Sequence, residues 1–298
     1  MSTKGHMFSG LTVALVTPFR DGAVDEEGLR RLVDWHIAQG TPTISPVGTT
    51  GESPTLSHEE HERVIATVID QAAGRAQVMA GTGSNSTSEA VRLTRFAAKA
   101  GATGALLVSP YYNRPTQEGI YAHYARIAEA AELPLVLYNV PSRTGRNVEP
   151  ETVERLAQIG PVVAIKEAAG SLDQVSDLVN RCPQLTVLSG DDSLTLPMMA
   201  VGAEGVVSVV ANIVPREVMD LIAAVRRGDL LEARRKHLAL FPLCRDMLSL
   251  APNPIPIKTA LALLERGNGE MRLPLCPMDE RGREALRQSL ARSGFLAK

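Results

Sequence analysis

Short apolar runs alternate with longer amphipathic stretches through most of the chain. Residues 11–16 are apolar and β-branched and stop at Thr17-Pro18, the pattern of a buried strand. Residues 25–39 then place Leu29, Leu32, Val33 and Ile37 at helical spacing, with Gly40 as the stop. The couplet repeats along the chain. Strands are predicted over 43–47, 77–81, 104–109, 135–139, 162–166, 186–189 and 205–209, although Pro46 is unusual inside the second. Helices are predicted from Ser57 onward and over 86–100, 116–131, 150–159, 171–181, 193–201 and 215–227. Ser57 with Glu60 three residues on reads as a capping box, and Pro150 as a first-turn proline. Eight strand–helix units therefore occupy residues 7–229, and such alternation means a parallel sheet with helical crossovers. They fit an α/β fold of the (β/α)8 TIM barrel type. A doubly wound sheet is the alternative, but no G-x-G-x-x-G follows the first strand and no acidic residue stands on the second. From residue 230 the strand pattern ceases, and helices are predicted over 230–240, 241–250, 256–264 and 279–293. Residues 230–298 are thus expected to form a C-terminal helical appendage that carries subunit contacts. Residues 1–6 are expected to be a loose extension, with the fold starting at Met7-Phe8.

Bulk properties narrow the function. With 298 residues, 44% of them hydrophobic, the chain can bury one large core. A net charge of −2 gives no basic excess for nucleic acid or an anionic membrane. No apolar run approaches the ~20 residues that span a bilayer, and the first nine residues lack a signal-peptide core. Cys182, Cys244 and Cys276 are far apart and form no CxxC pair, which suggests free thiols in a reducing cytoplasm.

Candidate chemistry comes from the strand ends, because a (β/α)8 barrel carries its site at their carboxyl edges. The sixth strand runs straight into Lys166-Glu167. In isolation such a lysine snorkels to solvent or pairs with Glu167. Buried and unpaired, it is driven towards the neutral amine, a nucleophile that forms Schiff bases with carbonyls. The other edges deliver Gly48-Thr49-Thr50-Gly51-Glu52-Ser53, Thr82 to Asn85, Tyr111-Tyr112-Asn113-Arg114, Tyr138-Asn139 with Arg143, and Gly190-Asp191-Asp192. Three of the five tyrosines fall at these edges, which surface scatter would not produce. Together they favour the reactive lysine. An amine attacks the ketone of an oxo acid, the protonated imine withdraws electrons, and the resulting enamine attacks a second carbonyl. Tyr138, on the neighbouring strand, suits the proton transfers once a hydrogen-bond chain through Thr49 and a strand-four tyrosine activates it. Thr50 and glycine-flanked backbone N–H groups suit one carboxylate, and Arg143 a second. This reading asks that Lys166 be largely neutral and that Glu167 point away from it. Phosphate binding by Gly48–Gly51 or Gly81–Gly83 is weaker, since neither matches a P-loop. His58-Glu59-Glu60-His61 is not H-E-x-x-H, and Asp191-Asp192 complement a helix dipole, so no metal is expected.

The motifs GTTGES at 48–53, YYNRPTQEG at 111–119, YNVPSRTG at 138–145, IKEA at 165–168, SGDD at 189–192 and NPIPIK at 253–258 resemble the dihydrodipicolinate synthase family. That family belongs to the pyruvate-dependent class I aldolases, which include N-acetylneuraminate lyase. The similarity runs from about Met7 to the C-terminus. It implies condensation of pyruvate with L-aspartate 4-semialdehyde, with no cofactor beyond the covalent pyruvate imine on Lys166. It implies Lys166 as the Schiff-base residue and Tyr138, Thr49 and Tyr112 as the proton relay, Tyr112 reaching into a neighbouring subunit. Thr50, Val207 and Gly190 match the pyruvate side, and Arg143 the semialdehyde carboxylate. A homotetramer, built as a dimer of dimers, is implied as well. In lysine-inhibited members a feedback pocket lies at the dimer interface, and Ser53, His58, His61, Asn85, Glu89 and Tyr111 match its ligands. Pro54 replaces the alanine common there and removes a backbone N–H. Two other readings stay open: a sister aldolase on another pyruvate-derived acid, and a non-catalytic barrel that binds a small acid.

Overall fold

The computed structural model describes residues 2–296. Eight parallel strands close into a barrel: β1 (Gly10–Ala14), β2 (Thr43–Ser45), β3 (Gln77–Gly81), β4 (Gly104–Val108), β5 (Leu135–Asn139), β6 (Val162–Glu167), β7 (Thr186–Ser189) and β8 (Gly205–Ser208). Each strand pairs with its successor, and β8 returns to β1 with Gly205 opposite Gly10 and Ser208 opposite Val13. The crossovers are α1 (Glu26–Gln39), α2 (His58–Ala72), α3 (Thr87–Ala100), α4 (Gln117–Ala130), α5 (Pro150–Leu156), α6 (Leu172–Arg181) and α7 (Thr195–Ala200), and α8 (Pro215–Arg226) follows the last strand. Local signals set their ends. Asp25 accepts from Gly28 N to open α1, and Gly40 closes it at φ 84°. Ser57 and Glu60 form the reciprocal capping box read from the sequence.

Two apolar layers follow from strand alternation. Ala14, Met79, Leu106, Val136, Ala164, Leu188 and Val207 fill the barrel interior, while residues such as Val13, Ile44, Leu107, Leu137 and Ile165 face the helices. Fully buried Phe8 stands in the inner layer and closes its amino-terminal end. Gly104 makes room for it, since a Cβ there would lie 2.5 Å from Phe8 Cζ.

The structure corrects three expectations. Residues 2–6 are not a loose extension. Lys4 N donates to Gln184 O (2.8 Å), Lys4 Nζ to Ala157 O (2.8 Å) and Thr3 Oγ1 to Glu204 (2.7 Å), so the segment crosses the barrel floor. Met1 lies outside the described residues, as do residues 297 and 298 of the expected appendage. Second, the helices expected over 230–240 and 241–250 are one, α9 (Leu230–Ser249), which runs through Pro242. A proline inside a helix costs about 3 kcal/mol. Continuity is favoured because Ala233, Leu240, Leu243, Cys244 and Met247 form one buried stripe spanning the proline, each large side chain worth about 1.5–3 kcal/mol. Third, the first strand stops at Ala14, and a hairpin of Phe19–Arg20 with Ala23–Val24 follows before α1. Helices α10 (Ile255–Leu263) and α11 (Glu280–Arg292) complete the described chain.

Candidate active site

Along β6, Ala164 and Lys166 project into the barrel, whereas Ile165 and Glu167 project towards the helices. Glu167 accepts from Asn139 Nδ2 (3.0 Å), Gln174 Nε2 (2.9 Å) and Ala169 N (2.6 Å). Burial pushes its pKa up, and these bonds oppose the push. Glu167 therefore points away from Lys166, as the reactive-lysine reading asks, and among the described residues Lys166 makes no salt bridge. Only 7% of Lys166 is exposed, and its Nζ lies 4.0 Å from the centre of the Tyr138 ring. Register explains this meeting. Tyr138 and Lys166 are partner positions on β5 and β6, so their side chains leave the sheet on the same side.

A cavity of about 260 Å³ opens above Lys166, walled by Thr49, Thr50, Tyr138, Arg143 and Gly190 among others. Thr50 Oγ1 accepts from Asn253 Nδ2 (3.1 Å), which leaves its own hydrogen for a ligand. Arg143 stands exposed at the rim on a single helical turn, Pro141–Thr144, and makes no ion pair among the described residues. Two further polar atoms belong to this wall. Ser45 Oγ and Asn253 Oδ1 are buried without a protein partner. An amine beside a phenol, two hydroxyls and a rim guanidinium suits imine chemistry on an acid bearing a carbonyl.

Not every expected residue joins this cavity. Val207 is fully buried in the barrel interior with Tyr138 and Leu188, and it packs without lining the cavity. Tyr112 is 91% exposed, at φ 71°, and the chain's own cavity above Lys166 lacks it. A second cavity of about 210 Å³ shares Gly48, Thr49, Tyr138 and Arg143 with the first and adds Ser53, Pro54 and Tyr111. Beside it, His61 Nε2 donates to Gly81 O (2.8 Å), His58 pairs with Glu89 (3.2 Å), and Glu89 accepts from Ser84. Burial lowers the pKa of His61 despite Glu89 and Gly81, which favour its charged form. Asn85 offers its carbonyl to Asn113 Nδ2 (3.0 Å). Among the described residues no group of three or more His, Cys, Asp or Glu side chains is placed to hold a metal ion.

Sequence reasoning placed Glu52 and Asp192 at strand edges but missed Lys258 and the buried bonds by which these residues support the site. Asp192 is buried at the cavity edge, where Oδ2 accepts from Val209 N (2.9 Å) and Val210 N (3.0 Å). Burial pushes its pKa up to about 6. Glu52 and Lys258 form a buried ion pair behind the Thr49-Thr50 turn. Apolar flanks at Lys258 resembled an ordinary helix face, and only the NPIPIK motif marked the segment.

Comparison with known proteins identifies the family. The family model described as the dihydrodipicolinate synthetase family matches residues 7–293. The 4-hydroxy-tetrahydrodipicolinate synthase of Pelobacter propionicus is 58% identical over 281 residues, covering 94% of this chain and 97% of that protein. The chloride-inhibited dihydrodipicolinate synthase of Acinetobacter baumannii, solved with pyruvate, superposes at a TM-score of 0.94 with 46% identity, over 97% of this chain and 99% of that one. The corresponding enzyme of Cyanidioschyzon merolae, solved with lysine bound, gives 0.94 and 41% over 97% of this chain and 99% of that one. By sequence and by fold, the chain belongs to the dihydrodipicolinate synthetase family.

Proposed function

We propose that this chain catalyses the reaction of 4-hydroxy-tetrahydrodipicolinate synthases, the condensation of pyruvate with L-aspartate 4-semialdehyde on the diaminopimelate route to lysine. One observation carries the reading: a buried lysine without a carboxylate partner, 4.0 Å from the Tyr138 ring, at the floor of a cavity rimmed by Arg143. Lys166 attacks the pyruvate ketone, and loss of water gives an imine. The protonated imine takes up the electron pair left when the methyl carbon loses a proton. The enamine carbon then bonds to the aldehyde carbon, whose oxygen gains a proton. Attack of the semialdehyde's own amine on the imine carbon closes the ring and frees Lys166. Tyr138 moves the protons, with Thr49 as its neighbour in the relay. Thr50 holds the pyruvate carboxylate over the layer containing Val207, beside Gly190, and Arg143 holds the semialdehyde carboxylate. The substrate-derived imine supplies the electron sink, so no resident cofactor is required.

Assembly and control belong to the same proposal. Tyr112 joins the relay of a second copy, consistent with its 91% exposure here. A tetramer of two such dimers would also cover exposed apolar side chains such as Leu172, Val201 and Leu238. L-lysine binds beside Ser53, His58, His61, Asn85, Glu89 and Tyr111 and inhibits. Pro54, exposed at that cavity, has lost only an N–H, and its carbonyl remains available. No described helix is long and apolar enough to cross a membrane, and the thiols of Cys182, Cys244 and Cys276 are free, consistent with a cytoplasmic enzyme. Borohydride added with pyruvate should trap an adduct on Lys166, and the protein should then turn over aspartate semialdehyde with pyruvate. An unmodified Lys166 in folded protein would exclude the mechanism.

A further inference from the structure

The turn that carries Thr49 and Thr50 is fastened from behind by the C-terminal helices. Within the turn, Gly51 N donates to Gly48 O (3.1 Å) and Glu52 N to Thr49 O (3.1 Å). Glu52 closes it at φ 54°, a left-handed conformation uncommon outside glycine. Its carboxylate faces away from the cavity. Only 1% of Glu52 is exposed; Oε1 pairs with Lys258 Nζ, and Oε2 accepts from Arg272 N (3.1 Å). Lys258 is 3% exposed, donates to Thr17 O (2.9 Å) and lies 4.3 Å from the centre of the Phe19 ring. Burial pushes the Lys258 pKa down, and Glu52 opposes the shift. Next to this pair, Asn253 Nδ2 holds Thr50 Oγ1.

A buried pair of charges is a costly way to attach a helix to a barrel, because both ions lose water and apolar side chains would attach it as well. Apolar contacts, however, are non-directional. They cannot hold a left-handed turn in one orientation, whereas charge-assisted hydrogen bonds can. We infer that Glu52 and Lys258 are positioning residues, which hold Thr49 and Thr50 in register over Lys166 and make α10 part of the active site without touching the reacting atoms. This rests on the proposed reading of Thr49 and Thr50 as facing pyruvate.

The test separates positioning from plain stability. Lys258→Met alone leaves a carboxylate buried without its cation and threatens folding. The deciding variant is therefore Glu52→Gln/Lys258→Met, which removes both charges. Glu52→Asp serves beside it, keeping both charges but shortening the anchor by one carbon. A device that only stabilises the fold lowers the amount of active enzyme and leaves both KM values alone. A positioning device raises the KM for pyruvate about tenfold in the double variant. The KM for the semialdehyde stays within about twofold, because Arg143 stands on a different turn. Amide exchange at Gly51 and Glu52 accelerates by about tenfold as the turn loosens. Exchange reads the coupling without any assay of turnover, so failure of the assigned reaction and failure of this inference remain distinguishable. A folded variant with wild-type exchange across residues 48–55, or with a wild-type KM for pyruvate, overturns the inference.

Discussion

Gly190 shows how closely single residues constrain the site. A Cβ at this position would lie 2.7 Å from Ala168 Cβ and 3.1 Å from Lys166 Cε. The Ala168 contact has no flexible end to yield, so the added methyl must shift β7 or push the lysine stem. We expect Gly190→Ala to slow pyruvate trapping on Lys166 by at least about tenfold while the protein still folds, measured by borohydride quench and peptide mass. Unchanged trapping would show that the wall yields. Lys166 itself was legible in the sequence because a lysine at the end of an apolar strand is conspicuous. The orientation of Glu167 followed from alternation once the strand was known. The Glu52–Lys258 pair was not legible. Its partners stand 206 positions apart, and each alone resembles a common surface residue.

Elements were readable where a period persisted and unreadable where it was short or interrupted. Seven of the eight barrel strands carry an apolar run, the exception being Thr43-Ile44-Ser45, and Gly40 and Ser57 announced helix ends. The hairpin at Phe19–Arg20 and Ala23–Val24 has two-residue strands, too short to show alternation. Pro242 suggested a break because local propensity disfavours it, but the buried stripe of α9 outweighed that preference. The amino-terminal segment appeared dispensable because it is polar, yet its backbone and side chains complete bonds offered by the ends of three distant elements. Deleting residues 2–6 removes the bonds of Lys4 to Gln184 and Ala157 and of Thr3 to Glu204. At about 1 kcal/mol each, the loss is about 3 kcal/mol, and urea unfolding should show a lower midpoint with a nearly unchanged slope. A midpoint equal to that of the full chain would restore the view of a loose extension.

At the scale of the molecule, buried titratable groups set the response to acid. Burial lowers His36 to about 3, with Arg266 adding to the effect, and lowers His123 to about 4. Both are neutral in the fold, so their contribution is complete above pH 6.5 and is lost as pH falls towards those values. Asp192 acts in the opposite sense. Its pKa is raised from 3.8 to about 6, so its contribution is complete below 3.8 and is lost as pH rises through about 6. Burial lowers His61 in the same sense as the other two histidines and raises Glu167 in the same sense as Asp192. The three histidines outweigh the two acids, and stability should be lower at pH 4.5 than at pH 7. Denaturant titrations at both pH values check the sign, and His36→Gln/His123→Gln should abolish or reverse the loss. Greater stability at pH 4.5 would contradict it. Closure of the barrel also has a consequence for synthesis. The edge of β1 that pairs with β8 stays open until residue 208 has emerged, because Gly10 waits for Gly205 and Val13 for Ser208. At roughly 5–20 residues per second, the nascent chain spends about 10–40 s with a bare strand edge and an uncapped apolar interior. During that interval holding chaperones compete with aggregation, and a ribosome paused before β8 would lengthen the exposure without altering one residue of the finished enzyme.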